Sequence, residues 1–203
     1  MTLPNRLTLV RITLAPLFVV AVLWGHFYAY LAALVLLALA ALTDLADGRI
    51  ARKTGTRSAF GEFADPLADK LFVVTALVAF AAVDAVPWWL ALVVVWRELT
   101  VTTLRAYAAH RGLDIPPSRL GKAKTLLQMV AVLAVLAYLT ARAGFPALGW
   151  EWNESLDRVC RIIYLVILGL SVAQTLLSGV HYLWNARGLL RSGTRGEEGG
   201  WRS

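Results

Sequence analysis

Between residues 7 and 184 the chain alternates long apolar runs with short polar stretches, and this alternation leaves it few folds to adopt. Runs such as YLAALVLLALAAL and LFVVTALVAFAAV approach the roughly 20 residues that a helix needs to cross the hydrocarbon core of a bilayer. Only 16% of the 203 residues are charged, whereas a soluble domain carries about a quarter. The pattern reads as all-α: a polytopic integral membrane protein of one domain with six transmembrane helices. Helix 1 is expected within residues 1–25, helix 2 over 28–52, helix 3 over 61–83 and helix 4 over 88–110. Helix 5 should run from 121 to 138 or 141, and helix 6 over 158–184. Arg6 and Arg11 lead into the first run as they would in a signal peptide, but no small-x-small cleavage site follows, so the run reads as a span. Pro16 should kink it. The six-helix domain is placed at residues 1–187, and the Gly-, Arg- and Glu-rich segment 188–203 is expected to be disordered.

The formal charge of +7 reads as topology rather than as affinity for nucleic acid. Basic residues cluster before helix 1, between helices 2 and 3 (Arg49, Arg52, Lys53, Arg57), between 4 and 5 (Arg111, Arg119, Lys122, Lys124) and after helix 6. The other connections hold only Arg142, Arg158 and Arg161, offset by acids. The positive-inside bias puts both termini at the cytoplasmic face of the cell (inner) membrane, as an even number of spans requires. Eight tryptophans suit interfacial belts, with core packing as the alternative for some. Cys160, the single cysteine, admits neither an intramolecular disulfide nor a cysteine metal cluster.

Four aspartates interrupt this pattern. Asp44, Asp47, Asp65 and Asp69 lie between two apolar runs, at the same end of both expected helices. Ionised carboxylates close to hydrocarbon are costly and mark function by default. Like charges in one site raise one another's pKa, so a counter-charge is needed, and bound divalent cations supply it most simply. At about 100° per residue, Asp44, Asp47, Gly48, Ala51 and Arg52 share one side of helix 2, and Asp65 and Asp69 share a face of helix 3. The residues between, with Gly55 and Gly61, read as a tight polar turn. Hard oxygen ligands suit Mg²⁺ or Mn²⁺, and two such ions about 3.5–4 Å apart suit phosphoryl transfer. Gly48 and Ala51 lower side-chain bulk, and Arg52 offers a donor fork to phosphate. A structural salt-bridge cluster, or carboxylates solvated at the membrane surface, is the plainer reading.

The run D-x-x-D-G-x-x-A-R, eight residues, then G-x-x-x-D-x-x-x-D resembles the signature of the CDP-alcohol phosphotransferase family, and Asp44, Asp47, Gly48, Ala51, Arg52, Gly61, Asp65 and Asp69 fill every position of it. The resemblance implies the family fold of six transmembrane helices, a homodimer, and displacement of CMP from a CDP-linked lipid by a second alcohol. It implies two divalent cations, Mg²⁺ or Mn²⁺, on Asp44, Asp47, Asp65 and Asp69, with Asp69 also the general base. It assigns Asp44, Asp47, Gly48, Ala51, Arg52 and Gly61 to the CDP-lipid.

Three further stretches are similar to the phosphatidylglycerophosphate synthases within that family. The first is Pro4-Asn5-x-Leu7-Thr8-x-x-Arg11, where Asn5, Thr8 and Arg11 lie about one turn apart. Asn5 and Thr8 are candidate CDP-lipid ligands; Arg11 is a candidate ligand or a basic juxtamembrane anchor. The second is WREL-x-x-x-x-LR, ending at Arg105, which either meets substrate or pairs with Glu98, seven residues earlier on the same face. Arg97 and Glu98, being adjacent, are not expected to share a face. The third is GKAKTLLQM, whose Lys122 and Lys124 open helix 5 and serve either an anion or topology. Lys70 either neutralises the aspartates or snorkels to the interface. The expected substrates are CDP-diacylglycerol, in the membrane lipid, and sn-glycerol 3-phosphate, whose phosphate would meet Arg105, Lys122, Lys124 and Arg11. Inositol phosphate, serine or phosphatidylglycerol are alternative acceptors. An ion or metal transporter is the reading from another class, and it is opposed by carboxylates gathered at one end of the spans and by the lack of an inverted repeat.

Overall fold

The apolar runs form six α-helices among the described residues: α1 Leu3–Trp24, α2 Phe27–Thr54, α3 Ala59–Ala82, α4 Trp88–His110, α5 Arg119–Ala147 and α6 Glu154–Glu197. The structure, a computed structural model, describes the backbone of residues 3–54, 59–110 and 119–197 and the side chains of residues 10–43, 70–103 and 126–180. α4 coincides with the expected 88–110, and α2 and α3 lie within two residues of expectation. Gly61 belongs to the first turn of α3 rather than to the preceding turn, and Gly55 lies outside the described residues. α1 runs on through Pro16.

Three short connections close one end of the bundle. Between α1 and α2, Gly25 takes φ +74°, and His26 Nδ1 caps α2 by accepting from the Ala29 N–H at 3.3 Å. Between α3 and α4, the Ala85 and Asp84 N–H groups return to the carbonyls of Phe80 (2.9 Å) and Ala81 (3.2 Å), with Asp84 left-handed at φ 55°. This is a Schellman ending with an aspartate in the usual glycine place. α5 ends the same way around Gly149 at φ +77°: Trp150 N–H reaches Phe145 O at 2.8 Å and Gly149 N–H reaches Pro146 O at 3.1 Å. The accompanying apolar contact is Phe145 on Trp150, ring centroids 5.4 Å apart.

This ending corrects the expected limits of helices 5 and 6. α5 continues past 141 to Ala147 because Gly149 is the residue that can turn left-handed, and Pro146 falls in the last turn. α6 starts at Glu154, not at 158, because Asn153 caps it: its Oδ1 accepts from the Leu156 N–H at 2.8 Å. At its other end α6 is helical to Glu197, well into the segment expected as a disordered tail; residues 198–203 lie outside those described.

α1 packs on α2 and α3, α5 on α2, α3 and α6, and α4 between α3 and α6. Phe18 of α1 fills the centre against Phe72 and Phe80 of α3, with ring centroids 5.1 and 6.0 Å apart. Gly144 of α5 lets α2 approach, since a Cβ there would sit 2.6 Å from Phe27 Cε2. Polarity is distributed as in a protein bathed by lipid. Arg11, Glu98, Gln128, Ser171, Thr175 and Ser178 are buried, while Leu17, Val20, Val35, Leu92, Ile162, Ile163 and Leu170 are exposed. Among the described residues, Leu126–Ala147 and Glu154–Val180 are long and apolar enough to cross a membrane, with shorter apolar segments Val10–Trp24, Phe27–Thr43 and Lys70–Ala82.

Candidate active site

Helical register carries the buried face of each of the first five helices into the residues singled out by sequence. On α2 the buried positions Tyr30, Ala33, Leu37 and Ala40 step forward by three or four to Asp44 and Asp47. On α3, Phe80, Ala76 and Val73 step back to Asp69 and Asp65. On α4, Val94, Glu98 and Val101 lead to Arg105. On α5, Gln128 is one turn from Lys124, whereas Lys122 is in register with Leu126, which is exposed. On α1, Val22, Phe18 and Ala15 lead to Arg11, and Thr8 and Asn5 follow at one-turn steps. The side chains of Asn5, Thr8, Asp44, Asp47, Ala51, Arg52, Asp65, Asp69, Arg105, Lys122 and Lys124 lie outside the described residues, as do the surroundings of Gly48 and Gly61.

Arg11 is the one candidate ligand with a described side chain. It is 3% exposed, which a snorkelling anchor would not be. An arginine is carried into the interior of a helix bundle only at a cost that partners must offset.

Next to this end of the bundle a polar clamp joins four helices. Glu98 of α4, 5% exposed, accepts from Arg97 Nη1 at 3.0 Å and from Gln128 Nε2 of α5 at 3.4 Å, and its other oxygen lies 3.7 Å from Lys70 Nζ of α3. Lys70 also donates to Thr102 on α4. Arg97 Nη2 donates to Ser178 of α6 at 2.5 Å, and Gln128 donates to Thr175 of α6 at 3.3 Å. Gly179 permits the Arg97 side chain to lie across α6, since a Cβ there would come within 3.3 Å of it. Breaking a buried pair by removing one partner costs about 3–5 kcal/mol, so this clamp has strict requirements.

The clamp bears on three readings of the sequence. Adjacent residues do meet here, because the long Arg97 side chain bends back to Glu98. Glu98 has Arg97, Lys70 and Gln128 as described partners, while the alternative in which it pairs with Arg105 falls on a side chain outside the described residues. Lys70 turns inward to α4 rather than out to the interface. Thr175 and Ser178 were missed by sequence reasoning. Their signal was available: Ser171, Thr175 and Ser178 recur at steps of four and three within an apolar run, and all three are buried.

A second polar cluster lies at the opposite end. Asp157 Oδ1 accepts from Tyr138 OH and Trp152 Nε1, both at 2.9 Å, and lies 3.5 Å from Arg142 Nε. Tyr164 OH donates to Ala85 O at 2.7 Å, tying α6 to the α3–α4 turn. One acid of this region, Asp157, thus pairs with one of its arginines, Arg142. A cavity of about 430 Å³ lies alongside, lined by Arg142, Arg158 and Arg161 among others.

Residues 1–177 match the family model described as CDP-alcohol phosphatidyltransferase. Among curated proteins the chain is 40% identical over 148 residues to a CDP-diacylglycerol--glycerol-3-phosphate 3-phosphatidyltransferase of Bacillus subtilis, covering 67% of this chain and 77% of the relative. It is 34% identical over 187 residues to a probable phosphatidylglycerophosphate synthase of Mycobacterium tuberculosis (91% and 81%). A protein of Rickettsia felis with the same name as the Bacillus relative is 33% identical over 180 residues (89% and 92%). With its lipid-type distribution of polarity and its aspartate motif complete on α2 and α3, the chain is an all-helical membrane protein and belongs to the CDP-alcohol phosphatidyltransferase family.

Proposed function

We propose that this protein transfers the phosphatidyl group of CDP-diacylglycerol to sn-glycerol 3-phosphate, releasing CMP and giving phosphatidylglycerophosphate for phospholipid synthesis. The observation that carries this reading is that the aspartate positions continue, by helical register, the buried faces of α2 and α3, as buried Arg11 continues that of α1. The names of relatives 33–40% identical to the chain support the same pair of substrates. All six helices span the membrane in this reading. The distribution of Lys and Arg puts both termini and the aspartate-bearing end at the cytosolic face of the cell membrane, where a soluble acceptor meets a lipid donor. The protein acts as a homodimer, as the family resemblance implies.

The family is generally dependent on divalent metal. The donor set fits: four carboxylates, two in register on α2 and two on α3, are hard oxygen ligands of the kind Mg²⁺ or Mn²⁺ takes. Asp44, Asp47, Asp65 and Asp69 would hold two such ions, which supply positive charge against the diphosphate and the leaving CMP. Gly48, Ala51, Arg52 and Gly61, with Asn5 and Thr8 from α1, bind the CDP group. Asp69 takes the proton from the acceptor hydroxyl as its oxygen bonds to the β-phosphorus and the bond to the CMP oxygen breaks. The acceptor phosphate carries nearly two negative charges and must approach another anionic group, so it needs cations of its own. Arg105, Lys122, Lys124 and Arg11 supply them, arginine through paired hydrogen bonds and lysine as a point charge.

The test is a detergent-solubilised preparation given CDP-diacylglycerol and one acceptor at a time. CMP and phosphatidylglycerophosphate should appear with sn-glycerol 3-phosphate. CMP release that instead requires inositol phosphate, serine or phosphatidylglycerol would overturn the acceptor, and none with any acceptor would overturn the activity.

A further inference from the structure

We infer that Glu98 is a positioning residue for the acceptor half of the reaction: one carboxylate that holds the general base and the acceptor's phosphate cations at a fixed separation. The inference rests on the reading under Proposed function. Glu98 reaches three helices, and on each it is within two turns of a residue of the acceptor site. Its ion pair with Lys70, at 3.7 Å, grips α3 at the residue directly after Asp69. Its bond from Gln128, at 3.4 Å, grips α5 one turn from Lys124. On its own helix it shares a face with Arg105, two turns on, and Thr102 between them receives Lys70 as well. Arg97 and Thr175 anchor the assembly to α6 through Ser178 and Gln128.

The arrangement suits positioning better than cohesion. A buried ion pair is a weak way to hold helices together, because desolvation offsets most of the attraction, and an apolar contact of the same volume does as well. Directional bonds do fix the rotation of each helix about its axis and its offset along it. The transfer requires the acceptor hydroxyl to meet Asp69 while the phosphate of the same small molecule stays on Arg105 and Lys124. An error of about 1 Å between those two anchors can cost a hundredfold in rate. Of the residues assigned to the donor group, all but Gly61 lie on α2 and the start of α1, so its binding depends less on this spacing.

The experiment is steady-state kinetics of Glu98→Gln and Gln128→Met, each substrate varied in turn, with Tm measured in the same detergent. Gln keeps the size of Glu98 but releases Lys70; Met keeps the volume of Gln128 but cuts the link to α5. Expected for Glu98→Gln is a fall of roughly tenfold to a hundredfold in kcat/KM for sn-glycerol 3-phosphate, with the KM for CDP-diacylglycerol within about twofold of wild type. Gln128→Met should fall less, in the same acceptor parameter. Equal losses for donor and acceptor tracking a lowered Tm would make the clamp structural only and overturn the inference. Should Glu98→Gln not fold, Gln128→Met decides alone, and wild-type acceptor kinetics in it overturn the inference. Wild-type enzyme inactive with sn-glycerol 3-phosphate but active with another acceptor would overturn the substrate reading instead, and the same split against that acceptor would still support Glu98.

Discussion

Arg11 offers the sharpest test of the acceptor site, because its burial is described and its two readings give opposite outcomes. With 3% of its surface exposed, its guanidinium meets few water molecules, so contacts to a phosphate would be little screened. A hydrogen bond to a charged group contributes about 1.5–3 kcal/mol. At 1.36 kcal/mol per decade, its loss in Arg11→Leu should lower kcat/KM for sn-glycerol 3-phosphate by roughly tenfold to a hundredfold. Arg11→Lys should recover only part, since lysine restores the charge without the planar fork. The assay is CMP release with the acceptor varied at saturating CDP-diacylglycerol, then the reverse. Tm separates binding from folding: taking one member out of a buried polar contact is destabilising, so a purely structural Arg11 predicts a lowered Tm, with donor and acceptor parameters falling together if they fall at all. Leu and Lys variants both within twofold of wild type for the acceptor would refute its role in phosphate binding.

Two further outcomes follow from the aspartates. Asp69→Asn should bind CDP-diacylglycerol with near wild-type affinity yet lose turnover, because an amide cannot accept the acceptor's proton; near wild-type turnover would remove Asp69 as base, and loss of binding would make it chiefly a metal ligand. Activity should vanish with a chelator and return with Mg²⁺ or Mn²⁺, while Asp44→Ala and Asp65→Ala should resist rescue at ordinary metal concentrations; full activity after exhaustive metal removal would refute the metal reading.

The parts of this architecture that were legible in the sequence are those encoded within one helix. Apolar run length placed α4 to the residue and α2 and α3 to within two. Spacing of three and four put Asp44 with Asp47, and Asp65 with Asp69, on common faces, and those faces continue the buried ones. Legibility failed where a local cap outweighed composition. The polar, tryptophan-rich stretch after residue 144 reads as loop, yet Gly149 and Asn153 set the ends of α5 and α6 and shorten the connection. It failed again where partners lie on different helices. Gln128 meets Glu98 across 30 positions, Thr175 meets Gln128 across 47, and Ser178 meets Arg97 across 81. No periodicity reports such pairings. What a single sequence does report is that each of these residues is polar inside an apolar run, and such a residue must find a partner when no water is at hand.

The two ends of the bundle are held by different means, and the difference fits what each must do. The far end is closed by three short connections, two of them Schellman endings, and is pinned by Asp157 under Tyr138, Trp152 and Arg142 and by Tyr164 on Ala85 O. A closure of that kind fixes helices through their termini. At the carboxylate-bearing end two substrates must enter, one from lipid and one from water. Helices there have to be held apart at set distances rather than drawn together. The clamp around Glu98 suits this, since it joins α3, α4 and α5 from inside the bundle, in register with the candidate ligands. Its polar groups are costly to bury, and a core of leucine and valine would hold the helices as well. Their presence in the span is therefore better explained by the geometry they impose on α3, α4 and α5 than by the stability they add.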